Sequence, residues 1–242
     1  QGSLKIEADK AVISRVKGDV VKVTLSGAPT RMQQTNDNGD VMKASAKEIV
    51  YLISSQQIQL NGGVIIDQAR GSMRGESIRY DAKKKIYKTS GRSRIVDGPQ
   101  ILQADQVDYA EADSLGIASG NVIWQDTSAN LTIQCDTARY NQTTGFLKAT
   151  GGLQGRPLLI TLIDGDSLFM TADTLLSQRA DTIANDSSRL LQAYYDVRIF
   201  KSDMQALCDS LSYNTVDSLF RMFRSPIIWT DTTHTREFGD EN

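Results

Sequence analysis

Few residues in this 242-residue chain are of types that catalyse reactions, and their spacing gives them little chemistry to do. The single histidine, His234, lies in the polar stretch "TDTTHTREFGDEN", where it reads as part of a solvated tail rather than as a base or a ligand. The two cysteines, Cys135 and Cys208, have no histidine or further thiol at metal-site spacing. Carboxylates pair at Asp105/Asp108, Asp164/Asp166 and Asp37/Asp40, but "DGDS" and "NDNGD" are good hairpin turns. "NDNGD" also lacks the glutamate that would close a calcium loop. The expectation is a protein that is not an enzyme and that needs no metal or cofactor.

Two residue types recur instead. Asp9, Asp105, Asp136, Asp173 and Asp209 each follow a small residue, and Tyr51, Tyr80, Tyr109, Tyr140 and Tyr213 each fall five positions after one. In "LQADQVDY" the apolar residues Leu102 and Ala104 are two apart, and so are Val107 and Tyr109, but three positions separate the pairs. Side chains of a straight strand alternate strictly, so the four cannot share a face. The same skipped beat occurs in "LKIEADKAVI", "VMKASAKEIVY", "SMRGESIRY", "LTIQCDTARY", "LFMTADTLLS" and "MQALCDSLSY". Its seven anchors are residues 8, 46, 75, 104, 135, 172 and 208. Such regular self-similarity identifies a repeat architecture.

A second strand follows each anchor, as in "LGIASGNVIW", "IQLNGGVII" and "LLQAYYDVRIF", with its own slip, often at glycine. Polar links such as "DAKKK", "AEADS" and "NQTTG" join the two as hairpin loops. An extra residue that resets strand parity is what a β-bulge or sharp bend supplies. Each strand should therefore bend near its middle, with both arms turning apolar side chains to one interior. A local turn-type bond is the expected role of the recurring aspartates. The tyrosines should form a core or groove-lining ladder, and the small anchors should keep the spine thin so that the layers splay. The cysteines fall on equivalent anchors four strand spacings apart, roughly 19 Å, which is beyond disulfide reach.

The predicted fold is thus all-β: an elongated, V-shaped jelly roll of about 14 bent antiparallel strands with an apolar interior groove. At about 4.8 Å per strand it would be roughly 60–70 Å long. Its terminal strands would be unpaired edges, open to strand addition. No apolar run is long enough for a transmembrane segment. The sequence opens on "QGSLKIEAD", already in a strand pattern, and so reads as mature or truncated protein. Residues 1–90 carry 15 Lys/Arg against 9 Asp/Glu, and residues 91–242 carry 12 against 20. A consistently basic face is missing, so nucleic acid is not expected as a partner.

"SLKIEADKAVI", "GAPTRMQQTNDNGDVMKASAKEIVY" and "LNGGVIIDQARGSMRGESIRYDAKKKIY", all within residues 1–90, resemble the LptA/OstA-like family of lipopolysaccharide-transport proteins. "ILQADQVDY", "GIASGNVIWQDTSANLTIQCDTARYN", "VRIFKSDMQALCDSLSYNTVDSLF" and "SPIIWTDT" resemble another OstA-like branch. The change falls near "TSGRSRIVDGPQ", where lysine also becomes scarce; a fusion of two parents, natural or engineered, would leave such a junction. The expected organisation is an LptA-like half at 1–91, a second half continuous with it at 92–232, and a polar tail at 233–242.

The resemblance implies a periplasmic bridge protein that shields the lipid A acyl chains of lipopolysaccharide. It also implies edge-strand addition to other OstA-like jelly rolls or to a second copy. Residues expected to line the groove are Ile6, Ala8, Met42, Ala44, Ile49, Val64, Ile66, Met73, Ile78, Val122, Trp124, Leu131, Ile133, Met170, Met204 and Leu211. The alternative is a structural or engineered β-scaffold that assembles head to tail through its edges without lipid.

Overall fold

The structure, a computed structural model, describes residues 3–35, 39–69, 71–152, 155–163, 165–179, 188–216 and 218–230. Asp37, Asp164 and His234, considered above for chemistry, lie outside the described residues. The described residues form twenty strand segments in one antiparallel sheet. No helix among them is long and apolar enough to cross a membrane.

The segments are arms of bent strands. The first bent strand is β1 (Ser3–Glu7) with β2 (Lys10–Val16). β3 (Asp19–Thr35), β4 (Val41–Leu52), β5 (Gln57–Gln68) and β6 (Gly71–Asp81) run unbroken through their bends. β7 (Ile86–Ser90) with β8 (Ser93–Asp97), and β9 (Gln100–Ala104) with β10 (Gln106–Ala110), are split by theirs. β11 (Leu115–Asp126) and β12 (Leu131–Asn141) are unbroken. β13 (Phe146–Thr150) with β14 (Leu158–Ile163), and β15 (Asp166–Thr171) with β16 (Thr174–Arg179), are split again. β17 (Arg189–Lys201) and β18 (Met204–Asn214) precede the last pair of arms, β19 (Leu219–Phe223) and β20 (Ile227–Thr230). Six of these strands are split in two, so the twenty segments make fourteen bent strands, as the repeat predicts.

The split strands expose the layering. β6 pairs with β7 through Ser77–Asp81 and with β8 through Gly71–Arg74. β7 then pairs with β10, and β8 with β9. β11 receives β10 on Leu115–Ser119 and β9 on Ile123–Asp126, which reunites the two paths. The same division and reunion occurs from β12 to β17. The chain is therefore a meander of bent strands whose arms build two facing layers along a common spine. Strand pairing runs without interruption across residues 91 and 92.

At most bends two residues of one strand oppose one of its neighbour, and at Gly27–Pro29 three do. Pairing jumps from Ser119↔Thr137 to Val122↔Cys135, and from Tyr194↔Ser210 to Val197↔Cys208. The residue after each anchor, such as Glu76, Asp136 or Asp209, is the single one, and the returning strands supply the longer side. The pair takes left-handed backbone conformation at Gly62–Gly63, Gly120–Asn121 and Gly151–Gly152. Tyr195–Asp196 and Arg224–Ser225 adopt it without glycine, at a cost of roughly 1–2 kcal/mol per residue. Arg156 secures the first of these bends, donating to the Tyr195 carbonyl (3.1 Å) and the Asp196 carboxylate (2.6 Å).

The recurring aspartates act across the spine, which corrects the expected local turn. Asp9 accepts a bond from the Ala28 amide (3.2 Å), and Asp105 accepts from Asn121 Nδ2 (2.7 Å) and Arg92 (3.3 Å). Arg156 and Arg224 stand 3.5 and 3.6 Å from Asp173 and Asp209. The bend turns each carboxylate toward the neighbouring strand, whose backbone or side-chain donors lie nearest. Ala104 is wholly buried at this spine. Ala104→Glu would place an unpaired carboxylate there and lower stability by several kcal/mol, measurable as a fall in the midpoint of thermal or urea unfolding.

Candidate functional site

Inward side chains line up across the whole array. In one layer Ile6, Met32, Ala44, Ile66, Met73, Ile95 and Leu102 are successive cross-strand partners. The row goes on through Trp124, Ile133, Leu159, Met170, Ile199, Ala206 and Ile228. Every one of the fourteen strands thus contributes an apolar residue to it. The facing layer carries its first row from Leu25, Ile49, Leu60 and Ile78 to Ala118, Ala138 and Ala149, then Leu175, Ala193 and Leu211.

Fifteen of the sixteen residues expected to line the groove share the inward strand parity, and Ala8 lies at the bend between β1 and β2; their surroundings differ. Ala44, Ile49, Val64, Ile66 and Ile78 are buried near the spine, whereas Met42 and Met73 are half-exposed toward the mouth, and Ile6 and Ala8 are exposed on the first strand. Val122, Trp124, Leu131, Ile133, Met170 and Leu211 belong to one packed core that extends from Leu102 to Tyr213. Met204 packs against that core from the last strands. Ten of the twelve largest fully buried side chains lie beyond residue 100, and only Ile78 and Val64 precede it.

The second half is thus mostly buried out to its outer rows, whereas the outer rows of the first half stay half-exposed. The first half's facing rows set Leu25, Ile49, Leu60 and Ile78 against Met32, Ala44, Ile66 and Met73, bulky but for Ala44. These residues pack into a smaller buried cluster of their own, while the rows farther from the spine stay half-exposed. In the second half Ala118, Ala138, Ala149 and Ala193 face Trp124, Ile133, Leu159 and Ile199. Small against large interdigitates, so the layers close to interior packing density.

An ion pair spans the closed jaw. Arg189, at the start of β17 in one layer, is 1% exposed, and Asp126, at the end of β11 in the other, is 0% exposed. Arg189 Nε donates to Asp126 Oδ2 at 3.0 Å, and Nη2 donates to the same oxygen. Asp126 Oδ1 accepts from the Ser128 and Ala129 amides at 3.1 and 3.3 Å. The guanidinium carbon lies 5.9 Å from the Trp124 ring centroid, within cation–π range. Arg189 Nη1 is buried with no hydrogen-bond partner among the described residues. Nearer the first half, Tyr109 donates to Gln142 (2.5 Å), which donates to Asp97 in the opposite layer (2.5 Å).

The tyrosine ladder forms the second inward row. Tyr51, Ile58, Tyr80, Tyr87 and Tyr109 are cross-strand partners in turn, followed by Gly116, Tyr140 and Leu147. Tyr80 stacks on Tyr87 with centroids 4.3 Å apart, and Tyr213 on Phe220 at 4.1 Å. Tyr140 lies over Gly116, where an added Cβ would meet the ring at 2.0 Å, and so reaches Tyr109 (6.2 Å). Burial raises the phenol pKa values of Tyr87 and Tyr140. It also pushes the Cys135 thiol up to about 12, and the Cys208 thiol rises for the same reason. Both cysteines are free and buried, standing in for alanine at the spine. No group of acidic, histidine and cysteine side chains able to hold a metal occurs among the described residues.

The first class the chain defines, an elongated jelly roll of bent strands with an apolar inner face, is the OstA-like one. Residues 1–86 match the family described as "LptA/(LptD N-terminal domain) LPS transport protein". Over 87 residues the chain is 30% identical to the lipopolysaccharide export system protein LptA of Escherichia coli K12, and equally to that of Shigella flexneri. The alignment takes in 35% of this chain and 47% of each relative, so the chain spans about half the length of the curated relatives it matches. Among solved structures, LptH of Pseudomonas aeruginosa, a periplasmic component of the lipopolysaccharide transport device, aligns at a TM-score of 0.43 and 12% identity. That alignment covers 52% of this chain and 83% of LptH.

The buried ion pair escaped the sequence reading, although its signal was there. Asp126 is two residues beyond the inward Trp124, and Arg189 two before the inward Leu191, so both are charged residues at inward positions. Asp126→Asn keeps the turn bonds but leaves the Arg189 charge buried and unmatched, and should cost about 3–5 kcal/mol in urea unfolding. Adding Arg189→Met should restore most of that loss. Neither thiol should react with a disulfide reagent at neutral pH until denaturant is added; titration with such a reagent checks this.

Proposed function

We propose that this chain is a non-enzymatic, periplasmic lipopolysaccharide-binding protein that holds acyl chains between its two layers. The observation that carries the reading is the apolar row running unbroken through all fourteen strands to both terminal edges. A core needs apolar residues inside, but it does not need to leave them half-exposed along a mouth, as Met42, Met73 and Ile58 are. Each acyl methylene moved from water onto such a surface contributes about 0.8 kcal/mol. The family match over residues 1–86 supplies the ligand class, and the partial coverage of the relatives leaves their partners as part of the proposal.

Other OstA-like jelly rolls, or a second copy of this chain, are the proposed neighbours. The unpaired sides of β1 and β2 at one end, and of β19 and β20 at the other, offer backbone donors and acceptors for strand addition. A second reading, a β-scaffold that joins head to tail without lipid, is favoured by the tightly packed interior from Leu102 onward. It predicts that concentration alone lengthens the oligomer, and lipid leaves the interior untouched.

A photoreactive residue at inward Met73 should crosslink lipopolysaccharide, and one at outward Ser72 should not. Equal labelling at 72 and 73, or none from folded protein, would reject the lipid reading and leave the scaffold.

A further inference from the structure

The two halves of the interior differ in a way that a uniform conduit does not require. Before Asp97 the inward rows stay open at the mouth: Tyr51 is 39% exposed, and Ile58, Tyr80, Tyr87, Met42 and Met73 are half-buried. Between Asp126 and Tyr213 the corresponding positions Leu131, Leu147, Leu168, Ser177 and Leu191 are buried, with only Tyr140 and Met204 half-buried among them. The Asp126–Arg189 pair sits at the outer limit of this closed stretch, where one layer's rim meets the other's.

Stability alone is a poor reason for such a pair. Two charges lose their hydration on entering the jaw, and apolar residues of similar volume would pack there at least as well. The buried Nη1 without a partner adds a further penalty. What an ion pair does that leucines would not is fix which two rim positions meet, and it does so over the face of Trp124. The alanines at 118, 138, 149 and 193 let the layers come that close. The Tyr109–Gln142–Asp97 bridge marks where closure begins.

We propose that the Asp126–Arg189 pair and the alanine-lined core behind it are a stop. Acyl chains are admitted only to the open trough of residues 3–97, from the first-strand end, and do not pass through to the last strands. This inference rests on the lipid reading above and narrows it. The chain would receive or hold the acyl part of lipopolysaccharide rather than transmit it along its full length. The groove residues of the second half, Ile133 and Met170 among them, are on this view core and never touch ligand.

The chain carries its own reporters. Of its six methionines, Met32, Met42 and Met73 lie inward in the open trough, and Met170, Met204 and Met222 lie inward in the second half. Carbon-13 methyl labelling of methionine gives six signals, assigned by single Met→Leu variants, in a protein of unaltered sequence. Titration with purified lipopolysaccharide, against a detergent-only control, should shift the signals of Met32, Met42 and Met73 and leave the other three in place. Shifts at all six, or at Met170 in particular, would overturn the stop while upholding lipid binding. Shifts at Met204 and Met222 alone would overturn the stated direction of entry. No shift at any methionine would sink the lipid reading and the stop with it.

Discussion

Everything in this molecule depends on the two-against-one mismatch at the middle of each strand. Side chains alternate with a period of two, so inserting one residue on one strand exchanges the faces of everything beyond it. Here the exchange coincides with a sharp bend, and the two effects cancel as seen from inside: both arms present their apolar residues to the same space. The compensation has to be repeated on every strand. A strand that bent without the insertion would turn one arm's apolar side chains to water, and its neighbours would lose their partners. The seven anchors and their returns, most of them marked by glycine, are one geometric requirement met fourteen times.

What the bend leaves open is how far apart the layers stand, and that is decided one step from the spine. Over β3 to β6 the rows nearest the spine, bulky but for Ala44, bury as one cluster while the outer rows stay half-exposed, and alanine opposite large residues allows fuller closure over β11 to β18. The same spine is compatible with a trough or a solid sandwich, and this chain contains both in sequence. The charged lock is a consequence of that closure. Asp126 and Arg189 can meet only because the alanine row has already brought the rims together, and once met they hold the register of one layer over the other.

The sequence made the repeat, the count of bent strands and the inward parity legible, because each rests on local alternation. "LQADQVDY" alone carries the mismatch. The glycine-free bends at Tyr195–Asp196 and Arg224–Ser225 were harder to see, since left-handed backbone there is secured by a distant residue, Arg156, in the first case. The aspartates were misread as local for a similar reason: their partners are adjacent in the sheet but ten or more residues away in the chain. Closure of the second half was illegible because it depends on which residues face one another across the gap. Ala138 against Ile133 is a relation between layers, and alternation along one strand carries no information about it.

The ends obey the same constraint as the middle. Leu4, Ile6, Val12 and Ile13 stay exposed on the first strand, and Phe223, Ile227, Ile228 and Trp229 on the last, where no further strand among the described residues covers them. An ordinary flat edge accepts any extended segment in several registers. These edges do not. A strand added to β1 and β2, or to β19 and β20, has to pair with two arms at an angle to each other, so it must bend at the matching residue and reset its parity there. A straight strand would satisfy one arm's backbone and clash with or miss the other. The bend that organises the interior thus also restricts what can extend it, favouring partners built on the same mid-strand mismatch.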